Sequence, residues 1–360
     1  RNNLTLPDKI ALDNACRLLF LLAGVSYFKA YAPNCLKCTP FDIDPETANF
    51  VEYVYMEGLG EFAYVNSIDF SGFTGFENCT GEAPKGQNLN IPARTCVPIG
   101  GGKDSIVTLE ALKAENQELI LFQLGNATPI TQTIEHSGLQ GIRATRSIDQ
   151  ALITLNQQGV YNGHVPITAI LSSIVVVCAI LNGFSNIAMS VERSASEATR
   201  LYKNKEVNHQ FSKSFEFEKA FAKYVKKMIS PDSNYYSLLR PLYEVHIMQQ
   251  FAQLKKYHAI FRSCNAAFRI KEAERARHWC CNCPKCRFIF LGLAAFIEKE
   301  SLIEIFGKNL LTDPSQQQGF DDLCGIGNGK PFECVGETQE SAALMLYLSA
   351  QQDWKNASVV

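Results

Sequence analysis

The run Cys96-Val97-Pro98-Ile99-Gly100-Gly101-Gly102-Lys103-Asp104-Ser105-Ile106-Val107 holds the first residues whose types and spacing suit chemistry. An apolar segment enters it, three glycines follow, and an apolar helical pattern leaves it. This predicts strand, tight loop, helix. Consecutive glycines let backbone N–H groups converge on one point, and the helix beginning near Asp104 aims its positive end at the same point. An anion is the expected occupant. Lys103 adds positive charge and Ser105 a hydroxyl. A carboxylate at Asp104 repels a phosphate unless a cation lies between them. Mg2+, which binds through carboxylates and substrate phosphates, is the expected cation. The plain alternative is a glycine-rich turn capped by an Asp. The spacing is neither a Walker A loop nor the dinucleotide fingerprint.

A second constellation is Cys264, followed by His278-Trp279-Cys280-Cys281-Asn282-Cys283-Pro284-Lys285-Cys286. The triplet Cys280-x2-Cys283-x2-Cys286 puts three thiolates on a tight turn, and Cys264 can return as the fourth. Four thiolates at about 2.3 Å suit tetrahedral zinc in a closed, structural site. An iron–sulfur cluster is the metal alternative, and unligated cysteines the plain one. His278 and Cys281 are rival ligands. Lys285 and Arg287 offset the negative charge. Loss of the metal is expected to melt the C-terminal third, because binding in such sites is coupled to folding.

The elements that must position these groups follow from the chain as a whole. Its 360 residues can bury a large core and hold two domains. Apolar residues make up 46%, which argues against disorder, and a net charge of -2 advertises no nucleic-acid partner. Thirteen unevenly spaced cysteines make a poor disulfide framework, so those outside the metal set read as buried hydrophobes or free thiols in a reducing, cytoplasmic setting. Cys35 and Cys38 have metal-like spacing without a second pair and read as two free thiols. No signal peptide is visible, although the chain begins at Arg1. The apolar stretches 18–31 and 170–181 read as buried helices rather than membrane spans.

Residues 1–90 are expected to form an accessory region with a helix starting at Leu6-Pro7-Asp8. Residues 50–64 fit either two strands or a helical hairpin, and 70–90 a long loop. Residues 91–260 read as the core domain. It has strands entering residue 100, over 118–124 and over 186–190, and a strongly apolar helix over 167–181. Alternation of this kind predicts a mainly parallel α/β sheet. Ligands in such sheets sit beyond the carboxyl ends of the strands. Residues 100–105, Gly125-Asn126 and 190–196 fall at such ends and can share one cleft. Residues 200–260 read as helical. Residues 261–360 carry the cysteine set, a helix over 287–305, a glycine-rich loop over 312–336 and a last helix from Glu337 to about Ser349.

The loop resembles the pyrophosphate loop of the ATP pyrophosphatase superfamily. Gly101, Gly102, Asp104 and Ser105 match, while Gly100 replaces the usual leading serine. The resemblance implies an adenine-nucleotide alpha-hydrolase (HUP-like) core and cleavage of ATP between its α- and β-phosphates. A fuller set of motifs resembles the UDP-N-acetylmuramoyl-L-alanyl-L-glutamate epimerases of bacterial peptidoglycan synthesis. It comprises the loop, Gly163-His164-Val165-Pro166, Glu192-Arg193-Ser194-Ala195-Ser196, SNYYSLLRPL at 233–242, Ser263-Cys264-Asn265, WCCNCPKCRF at 279–288 and KPFECVGE at 330–337. It spans nearly the whole chain. Cys281 departs from it, a glycine being usual there, which leaves Cys280 and Cys281 as competing ligands.

That resemblance implies ATP- and Mg2+-dependent inversion of the terminal L-glutamate of a UDP-muramoyl dipeptide, through adenylation, proton removal, reprotonation on the opposite face and hydrolysis. The nucleotide is expected on Gly100, Gly101, Gly102, Lys103, Asp104, Ser105, Gly125 and Arg193, with Mg2+ on Asp104 and structural Zn2+ on Cys264, Cys280, Cys283 and Cys286. Inversion needs groups on both faces of the reacting carbon. His164, His209, Glu333 and Cys334 are the candidates, beside Asp104 and Lys103. Arg193 and Arg240 are candidates for gripping carboxylate or diphosphate. The rivals are an ATP-dependent ligase or amidating enzyme resembling the 7-cyano-7-deazaguanine synthases, and a non-catalytic nucleotide-binding protein. No membrane insertion is expected, and oligomeric state is not legible.

Overall fold

The structure, a computed structural model, describes residues 3–269, 271–327 and 329–360. Among the described residues, the strands are β1 (Thr95–Pro98), β2 (Leu119–Leu124), β3 (Gly141–Ala144), β4 (Asn186–Met189), β5 (Arg200–Tyr202), β6 (Lys205–Val207) and β7 (Asn234–Ser237). Five make one mainly parallel sheet in the order β3-β2-β1-β4-β7, and β5 and β6 make an antiparallel hairpin. In the register, Thr95 pairs with Asn186 and Cys96 with Ile187, while Leu121 to Leu124 pair with Gly141 to Ala144. The central strands β1 and β2 are short and mostly apolar, β1 being buried at all four positions, as expected for strands covered on both faces, whereas the edge strand β3 is partly exposed. The α/β class read from the sequence is thus the observed one.

The chain divides into two compact units. One comprises the described residues up to Cys96, Thr145–Ala188 and Ala198–Tyr236, and the other Val97–Ala144, Met189–Glu197 and Ser237–Val360. In the first unit, Thr5 and Asp8 form a reciprocal cap on the helix Leu6–Ala23, which is why the chain turns helical at Leu6-Pro7-Asp8. By length and composition alone, the run Leu6–Tyr31 is apolar enough to cross a membrane. Leu18, Leu21, Leu22 and Val25 are buried in the unit, whereas Phe20, Tyr27 and Tyr31 are exposed, so the expected buried helix is buried on one face. Residues 50–64 fall in two helices, Pro45–Gly58 and Gly60–Asn66. The apolar helix Ile167–Asn182 ends at Gly183, whose φ of 72° supplies the left-handed cap. Aromatic pairs fill the core, among them Phe50 with Tyr224 and Phe221 with Tyr235, each at 4.7 Å.

In the second unit the helix Lys103–Ala114 follows β1, and Thr128–Ser137 follows β2. A continuous apolar core joins Ile106, Phe251, Phe261, Trp279, Phe290, Phe306 and Leu344.

Three expectations are corrected. Residues 200–260 are not uniformly helical: β5, β6 and β7 lie there, beside the helices Phe215–Tyr224 and Glu244–Ala252. Lys203 and Asn204 both have positive φ, the turn that suits the twist of a two-residue hairpin. The helix over 287–305 is two helices, Pro284–Leu293 and Lys299–Phe306. The loop over 312–336 contains the helix Gln317–Leu323, whose Phe320 and Leu323 are buried and hold it to the core.

Candidate active site

The glycine loop closes the carboxyl end of β1. Gly101 has a φ of 77°, and a Cβ there would lie 3.0 Å from both Ile130 N and Pro129 Cβ. A Cβ on Gly102 would lie 2.6 Å from Ser263 Oγ, whereas one on Gly100 meets nothing within 4 Å. The loop is therefore walled on one side and open on the other. Its shape is held internally: Gly100 N–H donates to Ser105 Oγ at 3.2 Å, and that hydroxyl donates to Gly102 O at 3.1 Å. Gly125, with a φ of 79° and nothing near its Cα face, ends β2.

Three carboxylates converge beside the loop. Asp104, Glu192 and Glu244 each bring an oxygen within 4.8 Å of the others. They follow the carboxyl ends of β1, β4 and β7, neighbours in the sheet, which is where a parallel sheet presents its ligands. Glu192 and Glu244 are buried, at 8% and 5% exposure. Lys103, only 1% exposed, donates from Nζ to Asp104 Oδ1 and to Glu244 Oε2, each at 2.5 Å. Burial works against its charge, but the three carboxylates outweigh burial and raise its pKa. Burial pushes the Glu244 carboxyl well up, against the pull of the Lys103 ammonium and with the help of the Asp104 and Glu192 charges. Three carboxylates and one ammonium leave two negative charges in excess when all are ionised. A divalent cation fits that donor set, since hard oxygen ligands and an uncompensated charge are what Mg2+ takes.

This placement alters the part read for Lys103. Its ammonium is committed to carboxylates inside the protein, so it sets the charge of the centre instead of reaching outward. Glu192 and Glu244 carry no motif signal of their own. Glu192 opens the quoted Glu192-Arg193-Ser194-Ala195-Ser196 segment, and Glu244 starts a helix just after the SNYYSLLRPL run. Arg193, 57% exposed at its side chain, lies over the Tyr243 ring at 4.7 Å, with Nε 3.7 Å from Glu337 Oε1. Arg240 donates to the backbone oxygen of Glu192 at 2.8 Å, a positioning contact.

The cysteine set adjoins the loop. Arg262 N–H donates to Gly101 O at 2.8 Å, and Ser263 walls Gly102, so the two residues before Cys264 shape the glycine turn. Cys264, Cys280, Cys283 and Cys286 bring four sulfurs within 4.8 Å of one another. Cys286 Sγ is 3.6 Å from Cys280 Sγ and 3.5 Å from Cys283 Sγ. A tetrahedron of metal–sulfur bonds of about 2.3 Å has edges of about 3.8 Å, so the set fits zinc. Contacts from Cys283 and then Cys286 pull the Cys264 thiol below its usual range. Cys281 turns the other way: it is buried, with a φ of 55° and Sγ 3.3 Å from Phe306 O. The choice between Cys280 and Cys281 thus falls on Cys280, and the left-handed backbone explains why glycine suits position 281. His278 is exposed, outside the set.

Of the four proton-transfer candidates, Glu333 accepts from Asn265 Nδ2 at 2.5 Å and pairs with Lys285 at 3.8 Å, tying it to the cysteine segment. Cys334 is half-buried beside it in sequence. His164 and His209 lie in the first unit, together with Glu61. Burial, then the neighbouring His209, pushes the His164 pKa down to about 4.

Two family models cover this chain: the MurL N-terminal domain matches residues 2–238 and the MurL C-terminal domain residues 260–360. The chain belongs to the MurL family. A relative from Xanthomonas oryzae pv. oryzae is 43% identical over 350 residues, covering 97% of this chain and 78% of the relative. Relatives from Micromonospora sp. and Salinispora tropica are 41% and 40% identical, each covering 97% of this chain, and 78% and 76% of themselves. All three are named UDP-N-acetyl-alpha-D-muramoyl-L-alanyl-L-glutamate epimerase. The family resemblance read from the motifs is thereby borne out.

Proposed function

We propose that this chain inverts the terminal L-glutamate of UDP-N-acetylmuramoyl-L-alanyl-L-glutamate to D-glutamate in the cytoplasm, at the expense of ATP. The observation that carries the reading is the convergence of Lys103, Asp104, Glu192 and Glu244 on the open glycine turn. An anion-binding helix terminus beside carboxylates with excess charge suits a nucleotide held through a divalent cation. This reading assigns the core to the pyrophosphate-loop superfamily with a HUP-like sheet, and gives the cysteine set a structural zinc.

In the proposed sequence, an oxygen of the glutamate α-carboxylate attacks the α-phosphorus of ATP. The bond to the α–β bridging oxygen breaks, and pyrophosphate leaves with the electron pair. The acyl-adenylate withdraws electrons more strongly than a carboxylate, so the α-proton becomes removable. One group takes that proton, a second returns one to the opposite face, and water then releases AMP and the D-glutamyl product. Loop N–H groups at Gly101, Gly102 and Ser105 meet the phosphates, while that of Gly100 holds the turn through Ser105 Oγ. Asp104, Glu192 and Glu244 would hold Mg2+, which supplies charge neutralisation at the phosphate oxygens. Arg193 is placed to hold a substrate carboxylate or diphosphate. The proton-transfer groups come from His164, His209, Glu333 and Cys334.

Incubation with ATP, Mg2+ and substrate in D2O tests the route. Deuterium at the glutamate α-carbon of the product is expected, and a D-glutamyl product without deuterium would rule out removal of the α-proton.

A further inference from the structure

Glu61 has no part in the reaction as drawn, yet the first unit is shaped around it. Glu61, His164 and His209 come from three separate segments and bring one ligand atom each within 4.8 Å of the others. His209 Nδ1 hydrogen-bonds to Glu61 Oε2, and His164 Nδ1 lies 3.5 Å from the same oxygen. The two rings are 4.6 Å apart between centroids.

Glycines let the segments close. A Cβ on Gly58 would lie 2.7 Å from Pro166 Cβ, and one on Gly60 would lie 3.3 Å from Val207 Cγ1. With only hydrogen at both positions, Pro166, just before the helix Ile167–Asn182, packs on the end of the helix Pro45–Gly58, and Val207, the last residue of β6, packs on the first turn of Gly60–Asn66. That turn carries Glu61. The loop bearing His164 is then clamped. Lys29 donates from Nζ to Asn162 Oδ1 at 2.6 Å and to Gly163 O at 3.3 Å, and Asn66 Nδ2 donates to Asn162 O at 3.2 Å. Lys29 is itself buried. The side chains of Glu61, His164 and His209 are 16%, 22% and 12% exposed, shielded yet reachable.

We propose that Glu61, His164 and His209 bind a divalent transition metal, of which zinc is the first to test. Two imidazoles and one carboxylate are a donor set of open zinc sites, and nitrogen ligands favour zinc or its neighbours over Mg2+. Three protein ligands leave a position for water or a substrate oxygen. Lys213 is the nearby cation facing His164 and offsets part of the attraction. The alternative is a Glu–His ion pair with a neutral neighbour.

Titration of the untagged, metal-stripped full chain with Co2+, followed by absorption, decides between them. It reads no turnover, so it stands or falls apart from the proposed reaction. With Mg2+ in large excess to fill the carboxylate centre of Asp104, Glu192 and Glu244, two equivalents of Co2+ are expected, one with thiolate-to-cobalt charge transfer and one without. Glu61→Gln and His209→Ala should each remove only the second, and Cys280→Ser only the first. Wild-type chain that saturates at one equivalent overturns the proposal without need of any variant. So does a second equivalent that survives in both Glu61→Gln and His209→Ala.

Discussion

The thiolate set and the carboxylate centre lie in one unit and meet through residues 262–264, yet they are assembled in opposite ways. Three of the four thiolates come from seven consecutive residues, on a turn that local spacing dictates. The carboxylates come from three places far apart in sequence and meet because β1, β4 and β7 are neighbours in the sheet. The first is a soft, closed set whose four sulfurs fit one metal ion. The second is a hard, charge-rich site with an open glycine turn beside it. Closed sites hold a fold together, and open ones leave room for a ligand. The two should therefore fail differently.

The largest difference is expected between Cys280→Ser and Asp104→Asn. Removing a thiolate should release the metal and unfold the segment that walls the glycine turn, lowering Tm and abolishing activity together. Asp104→Asn should cut turnover by at least about 100-fold while leaving Tm near wild type, because the side chain is partly exposed and its role is charge. Thermal melts beside turnover assays check both. Equal loss of Tm in the two variants would erase the distinction.

Lys103→Met sharpens the same contrast from inside the carboxylate centre. It leaves Glu244 and Glu192 buried without their ammonium, a loss of about 3–5 kcal/mol measurable by denaturant unfolding. Added Mg2+ should restore part of it.

The protonation of Glu244 gives a further test. Its pKa is raised by burial, so the folded metal-free protein keeps a proton that the unfolded chain releases. That contribution to stability is fully present below the ordinary carboxyl pKa of the unfolded chain and is lost as pH rises from there through the raised folded pKa. A cation entering the centre displaces the proton. Calorimetry in buffers of different ionisation enthalpy should show proton release on binding Mg2+ with ATP, and Glu244→Gln should abolish it.

The smallest effect is expected at Cys281. Cys281→Gly removes a buried thiol and relieves a left-handed backbone, opposing terms that should leave stability within about 1 kcal/mol of wild type and metal content unchanged.

The contrast also explains what could be read in advance. The clustering of Cys264, Cys280, Cys283 and Cys286 was legible because metal spacing is a local property, and the glycine turn because Gly101 needs a positive φ that few residues accept. Glu192, Glu244 and Glu61 were not, because each becomes a partner only through strand order or the closure of loops over glycines. Cys280 and Cys281 could not be separated by spacing, since the difference lies in a backbone angle. The hairpin at residues 200–207 was missed because its two strands are only three residues each, too short to show alternation against a helical background.

The most direct test supplies purified chain with ATP, Mg2+ and UDP-N-acetylmuramoyl-L-alanyl-L-glutamate, and measures AMP and the chirality of glutamate after hydrolysis. Substrate-dependent AMP together with D-glutamate, both lost in Asp104→Asn, is the predicted result. D-glutamate formed without ATP, or AMP formed only with a different carboxylate and ammonia, would contradict it.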